Sequence, residues 1–230
     1  MTKYQAEKIS LVIPALNESQ GIRRFLQALQ EFRKNQCEII VVDGGSSDNT
    51  CQIARPYCDK LLISPPGRAK QMNLGAKQAS GSILLFLHAD TVLPPQFFRL
   101  ITQLMNKENK SWGRFNVRLS GADFLFRIIE RLINMRSCLT GIATGDQAMF
   151  VKADVFEALG GFPEIALMED IALSKKLKKN HSPICIRECV VTSSRRWEQY
   201  GIWRTIFLMW RLRLAYFMGK SPGELKKKYL

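Results

Sequence analysis

The sequence predicts an α/β fold built on a mostly parallel sheet with flanking helices. Unbroken apolar runs of strand length are typical of strands buried on both faces of a sheet, and amphipathic helical segments alternate with these runs. Each run ends in polar residues. Because ligands of such sheets bind beyond the carboxyl ends of the strands, those polar residues are candidate site residues.

The first unit is a strand predicted at Ile9–Ala15 and broken by Pro14, followed by an amphipathic helix that begins at Ile22. Asn17 and Glu18 lie between the strand and the helix, where they offer polar side chains and a helix start. They are the first candidate site residues.

The second buried strand is predicted at Glu38–Asp43, with Asp43 at its tip. The loop that follows, which contains Gly44 and Ser46, is rich in small residues that turn tightly and expose backbone amides. Two strand–loop–helix units in succession indicate a right-handed parallel βαβ arrangement. The first turn lacks a GxGxxG pattern, which disfavours a dinucleotide-binding oxidoreductase.

A short third strand is predicted at Lys60–Ser64, and a helix from about Ala69 to Ala79 follows it. Arg68 and Asn73 lie near the start of this helix. A helix amino terminus with adjacent cations favours phosphate or another anion. A solvated basic turn is an equally good interpretation of these charges.

The stretch Ser82–Thr91, which reads SILLFLHADT, is predicted to be the fourth strand and its tip. Asp90 alone has an ordinary explanation as a turn or N-cap aspartate. The strands before it, however, bring Glu18, Asp43 and Arg68 to the same edge of the sheet. Three carboxylates and a cation at one edge predict a functional site there.

Composition limits the class of protein. The 230 residues are enough for one sizeable core, and the net charge of +14 implies an anionic partner such as a phosphorylated small molecule, a nucleic acid or an anionic membrane face. Six cysteines without a CxxC pattern and two histidines give little support to a zinc site. The simpler interpretation of the cysteines is that they are reduced thiols of a cytoplasmic protein. The opening MTKYQAEK lacks the apolar core of a signal peptide.

Motifs at five places between Ile9 and Leu177 are similar to those of one family, the family 2 glycosyltransferases. They are the opening strand Ile13–Glu18 (IPALNE), the nucleotide loop Val41–Asp48 (VVDGGSSD), the DxD position at Leu87–Thr91 (LHADT), the acceptor-side turn Gly160–Glu164 (GGFPE) and the pair Glu169-Asp170. Within that family the chain most resembles the subgroup called rSAM/selenodomain-associated transferase 2.

This resemblance implies a GT-A fold, in which a Rossmann-like sheet binds a nucleotide-diphospho-sugar and continues into a mixed acceptor-side half. We expect a transferase domain over residues 1–200, with a nucleotide half to about 95 and an acceptor half from about 96, then a basic apolar helix and tail over 201–230. The resemblance implies that Asp43 binds the base, Glu18 or its neighbours the ribose side, and Asp90 a Mn²⁺ or Mg²⁺ ion on the diphosphate. The predicted binding set for a UDP- or GDP-linked donor is Pro14, Asn17, Glu18, Asp43, Gly44, Ser46, Arg68, Asn73, His88 and Ala89.

One position departs from the family pattern, because His88 stands where the DxD motif has its first acid. The metal site therefore loses a hard oxygen ligand, and Mn²⁺ accepts imidazole more readily than Mg²⁺ does. We favour His88 as a polar group that faces ribose or phosphate over His88 as a metal ligand.

The resemblance implies that Asp170 is the general base, with Glu169 as its neighbour or substitute. A carboxylate within hydrogen-bond reach takes the proton of an acceptor hydroxyl as that hydroxyl attacks. Attack opposite the leaving group inverts the anomeric centre. Acidic residues that open the predicted helix Ile171–Lys179 also have an explanation in the helix dipole alone.

Two further segments supply candidates for the acceptor or diphosphate side. Asp146 and Gln147 lie in a loop that leads into a predicted strand, where a plain turn aspartate is an equal alternative. The segment from Ser194 is similar to the QxxRW motif of processive relatives, but Ser193 stands where Gln would. The candidates there are Arg195, Arg196 and Trp197.

The carboxyl-terminal helix predicted at Ile202–Met218 is apolar almost all the way round, with arginines at the edges of an aromatic stripe. Three arginines make a membrane-spanning helix costly, whereas an interfacial helix on an anionic membrane fits, and Lys226–Lys228 add attraction. A helix packed on the catalytic domain is an equal alternative. The amphipathic segment Ala122–Arg136 is either core or a second lipid-facing surface. Peripheral attachment to the cytoplasmic face and a lipid-linked acceptor follow from the interfacial interpretation.

Two other functions remain as alternatives. A nucleotidyltransferase acting on sugar phosphates usually carries a Gly-rich amino-terminal loop, which is missing here. A non-catalytic basic module is consistent with the charge. Nucleic acid is nevertheless not an expected partner, because carboxylates at the strand tips repel phosphate and no interleaved aromatic residues mark a sheet face.

Overall fold

An eight-stranded sheet forms the centre of a computed structural model that describes residues 8–34, 37–108 and 110–229. Its strands in chain order are β1 (Ile9–Ala15), β2 (Cys37–Asp43), β3 (Lys60–Ile63), β4 (Ile83–Phe86), β5 (Thr91–Val92), β6 (Trp112–Leu119), β7 (Phe150–Lys152) and β8 (Ile184–Thr192). Across the sheet the order is β3-β2-β1-β4-β7-β6-β8-β5. Residues 1–7, on which the signal-peptide expectation rests, lie outside the described residues, as does Leu230 at the end of the predicted tail.

Helices cover both faces of the sheet. In chain order they are α1 (Ile22–Ala28), α2 (Gln30–Lys34), α3 (Thr50–Ala54), α4 (Arg68–Lys77), α5 (Phe97–Glu108), α6 (Phe124–Thr140), α7 (Ala153–Ala158), α8 (Glu169–Leu177), α9 (Arg195–Tyr200), α10 (Ile202–Phe217) and α11 (Pro222–Tyr229), with short 3₁₀ turns at Arg55–Tyr57 and Gly145–Gln147.

The pairing confirms the predicted mostly parallel sheet with a mixed half. β1 lies parallel to β2 and β4, and β2 lies parallel to β3. β7 runs antiparallel to β4 and β6, and β6 lies parallel to β8, so β1, β4, β6 and β8 all point the same way. Their carboxyl ends therefore share one edge of the sheet, although they come from distant parts of the chain.

The central strands are continuous apolar runs because both of their faces are covered. In β1, Leu11 and Ile13 pack in one core cluster with α1 and α5, while Val12 packs in a second cluster on the opposite face. A Cβ atom on Gly75 of α4 would lie 2.4 Å from Val12 Cγ1, so glycine allows that helix its close approach to the sheet. This two-sided burial is the arrangement that the sequence pattern predicts.

Most elements predicted from the sequence are present, with differences at their ends. The predicted first helix is divided into α1 and α2 at Leu29, whose amide donates to Leu26 and closes the first helix. The predicted strand over Ser82–Thr91 ends earlier, at Phe86, and resumes as the two-residue β5. The elements that were not predicted are α5, α7, α9, α11, β6 and β8.

The carboxyl-terminal helix α10 is partly packed and partly exposed. Leu212 and Ala215 are buried in an apolar cluster with Ile142, Met168 and Ile171. Its other flank touches α6 through an apolar cluster that includes Phe126, Ile129, Ile202 and Ile206. None of the helices in the described ranges is long and apolar enough to cross a membrane.

A buried polar cluster ties strands together at the sheet edge opposite the carboxyl ends. Glu38 of β2 accepts hydrogen bonds from the Ser10 hydroxyl at 2.6 Å and the Ser80 amide at 2.8 Å, and it pairs with the Lys60 ammonium at 2.9 Å. Burial opposes ionisation of Glu38, but these donors outweigh it and lower the pKa of the carboxyl to about 2.

Replacing Glu38 by Ala should lower the free energy of unfolding by about 3 kcal/mol, because the Ser10 hydroxyl, the Ser80 amide and the partly exposed Lys60 ammonium lose their acceptor. The folded state favours the ionised form, so this contribution is complete above pH 4.5 and is lost as the pH falls toward 2. Urea titrations of both proteins at pH 7 and pH 3 measure it. Lys60→Met is the control and should cost about 1 kcal/mol, since the Lys60 ammonium is partly exposed. Equal stability of wild type and Glu38→Ala would contradict the conclusion that this polar cluster stabilises the fold.

Candidate active site

A cavity of 490 Å³ opens at the shared carboxyl edge of β1, β4, β6 and β8. Among the described residues its walls carry five carboxylates, four guanidinium groups and one imidazole. These are Glu18, Asp90, Asp146, Glu169 and Asp170, then Arg68, Arg195, Arg196 and Arg213, then His88. Acids and cations thus meet where the strand order and the short motifs predict a site.

The loop after β2 is held by the side chain of Asp43. Its Oδ2 accepts from the amides of Gly45 and Ser46 at 2.8 Å each, and its Oδ1 accepts from the Ser46 hydroxyl. Asn17, with a left-handed φ of 54°, joins the same loop by accepting from the Ser47 amide at 2.9 Å. The carboxylate of Asp43 is therefore largely used in shaping the predicted nucleotide loop.

Glu18 connects this loop to the cavity. Its amide donates to the Thr50 hydroxyl at 2.8 Å, its carbonyl accepts from the first turn of α1, and its side chain lines the cavity. Burial raises the pKa of the Glu18 carboxyl, the charge of Asp90 raises it further, and Arg195 opposes both. Glu18, Asp90 and Arg195 therefore form one electrostatic group.

Asp170 is a partly buried carboxylate with fixed hydrogen-bond partners. Its Oδ2 accepts from the Gly145 amide at 2.8 Å and its Oδ1 from its neighbour's amide, Ile171 N, at 2.7 Å. Met168, at a left-handed φ of 70°, turns the chain so that Glu169 and Asp170 together begin α8 at the cavity. Burial raises the pKa of Asp170, although these amides oppose the shift.

Glu169 beside it is buried, and burial followed by the charge of Asp170 raises the pKa of Glu169. Its Oε1 lies 4.0 Å from Nη1 of Arg68, the first residue of α4. Two neighbouring acids with raised pKa values in one cavity are suited to accept a proton at the pH at which enzymes work.

His88 lies at the floor of the same region. Its Nε2 is buried and has no hydrogen-bond partner within the described part of the chain. A Cβ atom on Gly145 would lie 2.7 Å from this nitrogen, so glycine is required there. Burial, followed by the charge of Arg68, lowers the pKa of His88 to about 3. A neutral imidazole with a free nitrogen is suited to a hydrogen bond with a polar ligand.

Asp90 stands exposed on the cavity wall, where the Thr91 hydroxyl donates to it at 3.3 Å. The described residues contain no group of three or more His, Cys, Asp and Glu side chains arranged to hold a metal ion. Mg²⁺ in nucleotide enzymes is commonly held by one or two carboxylates together with substrate phosphates and water. Asp90 fits a metal ion that binds with a diphosphate, and it does not fit one held by a protein cage.

The short helix α9 forms a further wall. Arg195 and Trp197 line the cavity, and the Arg196 guanidinium stacks over the ring of Tyr200, 5.7 Å from its centroid. Asp146 also lines the cavity and accepts a hydrogen bond from the Thr144 hydroxyl. These residues, predicted for the acceptor or diphosphate side, lie in the same cavity as Glu18 and Asp90.

Other predicted site residues do not line the cavity in the described structure. Gln147 is fully buried and caps its own turn through Thr144, and the Asn73 amide group exchanges 2.9 Å hydrogen bonds with the backbone of Phe162. Gly44 packs against the Gln71 side chain. The full set that lies away from the cavity walls is Pro14, Asn17, Asp43, Gly44, Ser46, Asn73, Ala89 and Gln147.

One wall was missed by the sequence interpretation. Thr205, Met209 and Arg213 of α10 line the cavity. Their spacing of four residues places them on one face of a helix, and the polar Thr205 and Arg213 on that face of a largely apolar segment are the signal that could have found it.

The sequence of this chain is similar to those of known glycosyltransferases. The sequence model of Glycosyl transferase family 2 matches residues 10–158. The probable glycosyltransferase YdaM of Bacillus subtilis is 27% identical over 247 residues, which cover 95% of this chain and 56% of YdaM. An undecaprenyl-phosphate 4-deoxy-4-formamido-L-arabinose transferase of Yersinia enterocolitica is 29% identical over 160 residues, 64% of this chain and 48% of that protein. The chain thus spans about half the length of these relatives.

Among solved structures, the mannosyltransferase PcManGT from Pyrobaculum calidifontis, in complex with GDP-Man and Mn²⁺, is similar with a TM-score of 0.67 at 19% identity. The similarity covers 96% of this chain and 68% of that one. It confirms the predicted GT-A fold. Since the matched family segment also covers well over half of the sequence, the chain belongs to glycosyl transferase family 2.

Proposed function

We propose that this protein transfers a sugar from a UDP- or GDP-linked donor to an acceptor hydroxyl, with inversion at the anomeric carbon. The observation that carries the proposal is a cavity that holds a partly buried carboxylate, Asp170, together with Asp90 and the cations Arg68 and Arg195. The relative from Yersinia enterocolitica is named as a sugar transferase, and PcManGT binds GDP-Man and Mn²⁺. The first supports sugar transfer, and the second supports a nucleotide-sugar donor.

In the proposed reaction the acceptor oxygen forms a bond to the anomeric carbon while the bond from that carbon to the diphosphate oxygen breaks. Asp170 takes the proton that the hydroxyl loses. The leaving nucleoside diphosphate gains negative charge, which Arg68 and Arg195 stabilise electrostatically. A divalent metal ion bound through Asp90 would supply further positive charge to the same phosphates.

Donor binding by the full chain tests the function. Thermal shift with a panel of UDP- and GDP-sugars, with and without Mn²⁺, should show stabilisation by one base class. Donor hydrolysis in the absence of acceptor should follow the same preference. A protein that binds no nucleotide-sugar in either assay would contradict the proposal. The further assignment to the rSAM/selenodomain-associated transferase 2 subgroup is part of this proposal and rests on sequence resemblance.

We further propose that the acceptor is lipid-linked and that the protein attaches to the cytoplasmic face of a membrane. Each of the adjoining helices α6 and α10 exposes a stripe of large apolar side chains, with Trp203 62% and Trp210 71% exposed. The α6 stripe is Phe124, Ile128, Leu132, Met135 and Leu139, and the α10 stripe is Trp203, Phe207, Trp210, Leu214 and Phe217. Exposed apolar surface of this extent marks an interaction site.

The surrounding charge favours an anionic bilayer as the partner of these stripes. Arg204 and Arg211 flank the α10 stripe and are exposed, as are Lys226, Lys227 and Lys228 on α11. Each cation near an anionic surface contributes about 1 kcal/mol, and tryptophan is favoured at the depth of the headgroups. A basic, aromatic-edged helix that is packed on one face is typical of interfacial attachment.

Co-sedimentation with vesicles tests this attachment. The full chain should pellet with vesicles rich in phosphatidylglycerol at low salt, but not with neutral vesicles, and binding should weaken in 0.5 M salt. The double variant Trp203→Ser, Trp210→Ser should remain in the supernatant, whereas Ile63→Ser, which removes an exposed apolar side chain on β3, should bind as the wild type does. A wild-type protein that stays in the supernatant at low salt would contradict membrane attachment.

A further inference from the structure

Two arginines on the neighbouring helices α6 and α10, Arg136 and Arg213, interact through their charges, and one of them lines the cavity. Arg213 lines the cavity on the same face of α10 as Thr205 and Met209. Arg136 of α6 lies near it: burial, followed by the charge of Arg213, lowers the pKa of Arg136 to about 10. The helices that carry them are in contact through an apolar cluster.

Both arginines hold donors that are not used. Nε and Nη2 of Arg136 and Nε of Arg213 are buried, and no acceptor among residues 8–34, 37–108 and 110–229 lies within hydrogen-bond distance of them. Neither guanidinium forms an ion pair within 4.0 Å with an acid of the same ranges, although the charges of Asp146 and Asp170 act on Arg136. A buried donor without an acceptor costs free energy, and two adjacent cations add repulsion to that cost.

We propose that Arg136 and Arg213 bind a phosphate group carried by the acceptor, an inference that rests on the transfer reaction proposed above. Nε and Nη2 form the edge of a guanidinium that binds two oxygens of one phosphate side by side. Arg213 already lines the cavity, and the charge of Arg136 interacts with that of Arg213 and with those of the cavity residues Asp146 and Asp170. A phosphate has enough oxygens to accept from both groups, and its negative charge balances the two cations.

The residues of this subsite differ from those proposed to hold the donor diphosphate. Arg68 lies at the start of α4 beside Glu169, and Arg195 acts on Glu18 beside Asp90. Arg213 instead belongs to α10, whose cavity face also carries Thr205 and Met209. The donor and acceptor anions would therefore be held by different helices.

The phosphate has two chemical sources, a lipid phosphate from a bilayer or a small soluble phosphate ester. The apolar stripe on the outer face of α10 is consistent with the first, and the polar walls of the cavity are consistent with either. The shared chemistry is a phosphate monoester, and two probes that differ in chain length distinguish the sources.

Isothermal titration of the full chain, without donor, with glycerol 3-phosphate, n-octyl phosphate and n-octanol tests the subsite. Wild type should bind a phosphate probe, and Arg213→Gln should bind it about tenfold to one hundredfold more weakly. Arg213→Lys should be intermediate, because it keeps the charge and loses the two-pronged edge. Arg131→Gln, a matched change of an exposed arginine on α6, should bind as wild type does.

A clear preference for octyl phosphate over glycerol 3-phosphate would identify a lipid phosphate as the source. Equal affinity for the two probes would identify a soluble ester. Either result supports the phosphate subsite. Phosphate affinity that is unchanged in Arg213→Gln, or equally lost in Arg131→Gln, would overturn the subsite.

Nucleotide-sugar binding is measured separately on the same variants and should be retained in Arg213→Gln. Loss of donor binding there would overturn the separate subsite, whereas a wild type that binds no donor would contradict the proposed function alone. Circular dichroism melts confirm that each variant is folded.

Discussion

Replacing Asp170 by Asn is expected to slow sugar transfer by about two to four orders of magnitude while donor binding persists. The amide has nearly the volume of the carboxylate, and its oxygen can still accept from Gly145 N or Ile171 N, the two donors that hold Asp170 now. It cannot take a proton from a hydroxyl. Steady-state transfer rates and donor affinities, measured on the same preparations, separate loss of chemistry from loss of binding.

The pH dependence gives the same variant a second readout. Burial raises the pKa of Asp170 above its ordinary 3.8, and a base acts only when it is ionised. The acid limb of the rate profile should therefore lie above the ordinary carboxyl range in wild type and be lost in Asp170→Asn. The folded state also binds the proton of Asp170 more tightly than the unfolded state, so ionisation lowers stability as the pH rises through the raised pKa. Asp170→Asn should consequently be at least as stable as wild type at pH 7.

Glu169→Gln is the matched control for this base. Glu169 is buried, lies next in sequence and approaches Arg68 at 4.0 Å, so its loss should affect the rate less than loss of Asp170 does. Near-normal turnover in Asp170→Asn together with a slow Glu169→Gln would move the role of base to Glu169.

The parallel half of the fold could be predicted because its signals are local. β1 occupies Ile9–Ala15 as predicted, since a strand buried on both faces must be apolar throughout and leaves an unambiguous run. Glu18, Arg68 and Asp90 reach one cavity because parallel strands and their following loops share an edge. For these residues, topology alone determines the position.

The acceptor half could not be predicted in the same way, because its contacts join distant residues. β6 pairs with β8 over a separation of about 70 residues and with a shift in register after Phe115, which no local pattern encodes. Likewise, the apolar residues of α6 are divided between a buried face with Phe126 and Ile129 and an exposed face with Phe124 and Leu132. Periodicity shows that a helix is apolar, but it does not show which of its apolar faces has a partner.

Asp43 illustrates a different limit. Its place at the tip of β2 was predicted, but its carboxylate is occupied by the amides of its own loop and by the Ser46 hydroxyl. An acid at a strand tip can bind a ligand itself, or it can organise a loop that binds the ligand. Which of the two it does depends on the directions of the backbone amides around it. Those directions are a property of the folded loop.

Replacing Asp90 by Asn is expected to remove the metal-dependent part of donor binding. A carboxylate is a hard, charged ligand for Mn²⁺ and Mg²⁺, and an amide oxygen is neutral, so the gain in donor affinity on adding metal should fall by roughly one hundredfold. Asp90 is exposed and accepts a hydrogen bond from the Thr91 hydroxyl at 3.3 Å, so the fold should be unaffected. Titrations of donor with Mn²⁺ and with chelator measure the difference.

Asp146→Asn is the matched control for Asp90→Asn, because it removes a carboxylate from another wall of the same cavity. If the metal ion binds with the diphosphate at Asp90, Asp146→Asn should keep the full response of donor affinity to Mn²⁺. Equal losses in the two variants would mean that the cavity's overall negative charge attracts the ion without a specific ligand. An unchanged response in Asp90→Asn would exclude Asp90 as the ligand, and the positive charge on the leaving diphosphate would then have to come from Arg68 and Arg195.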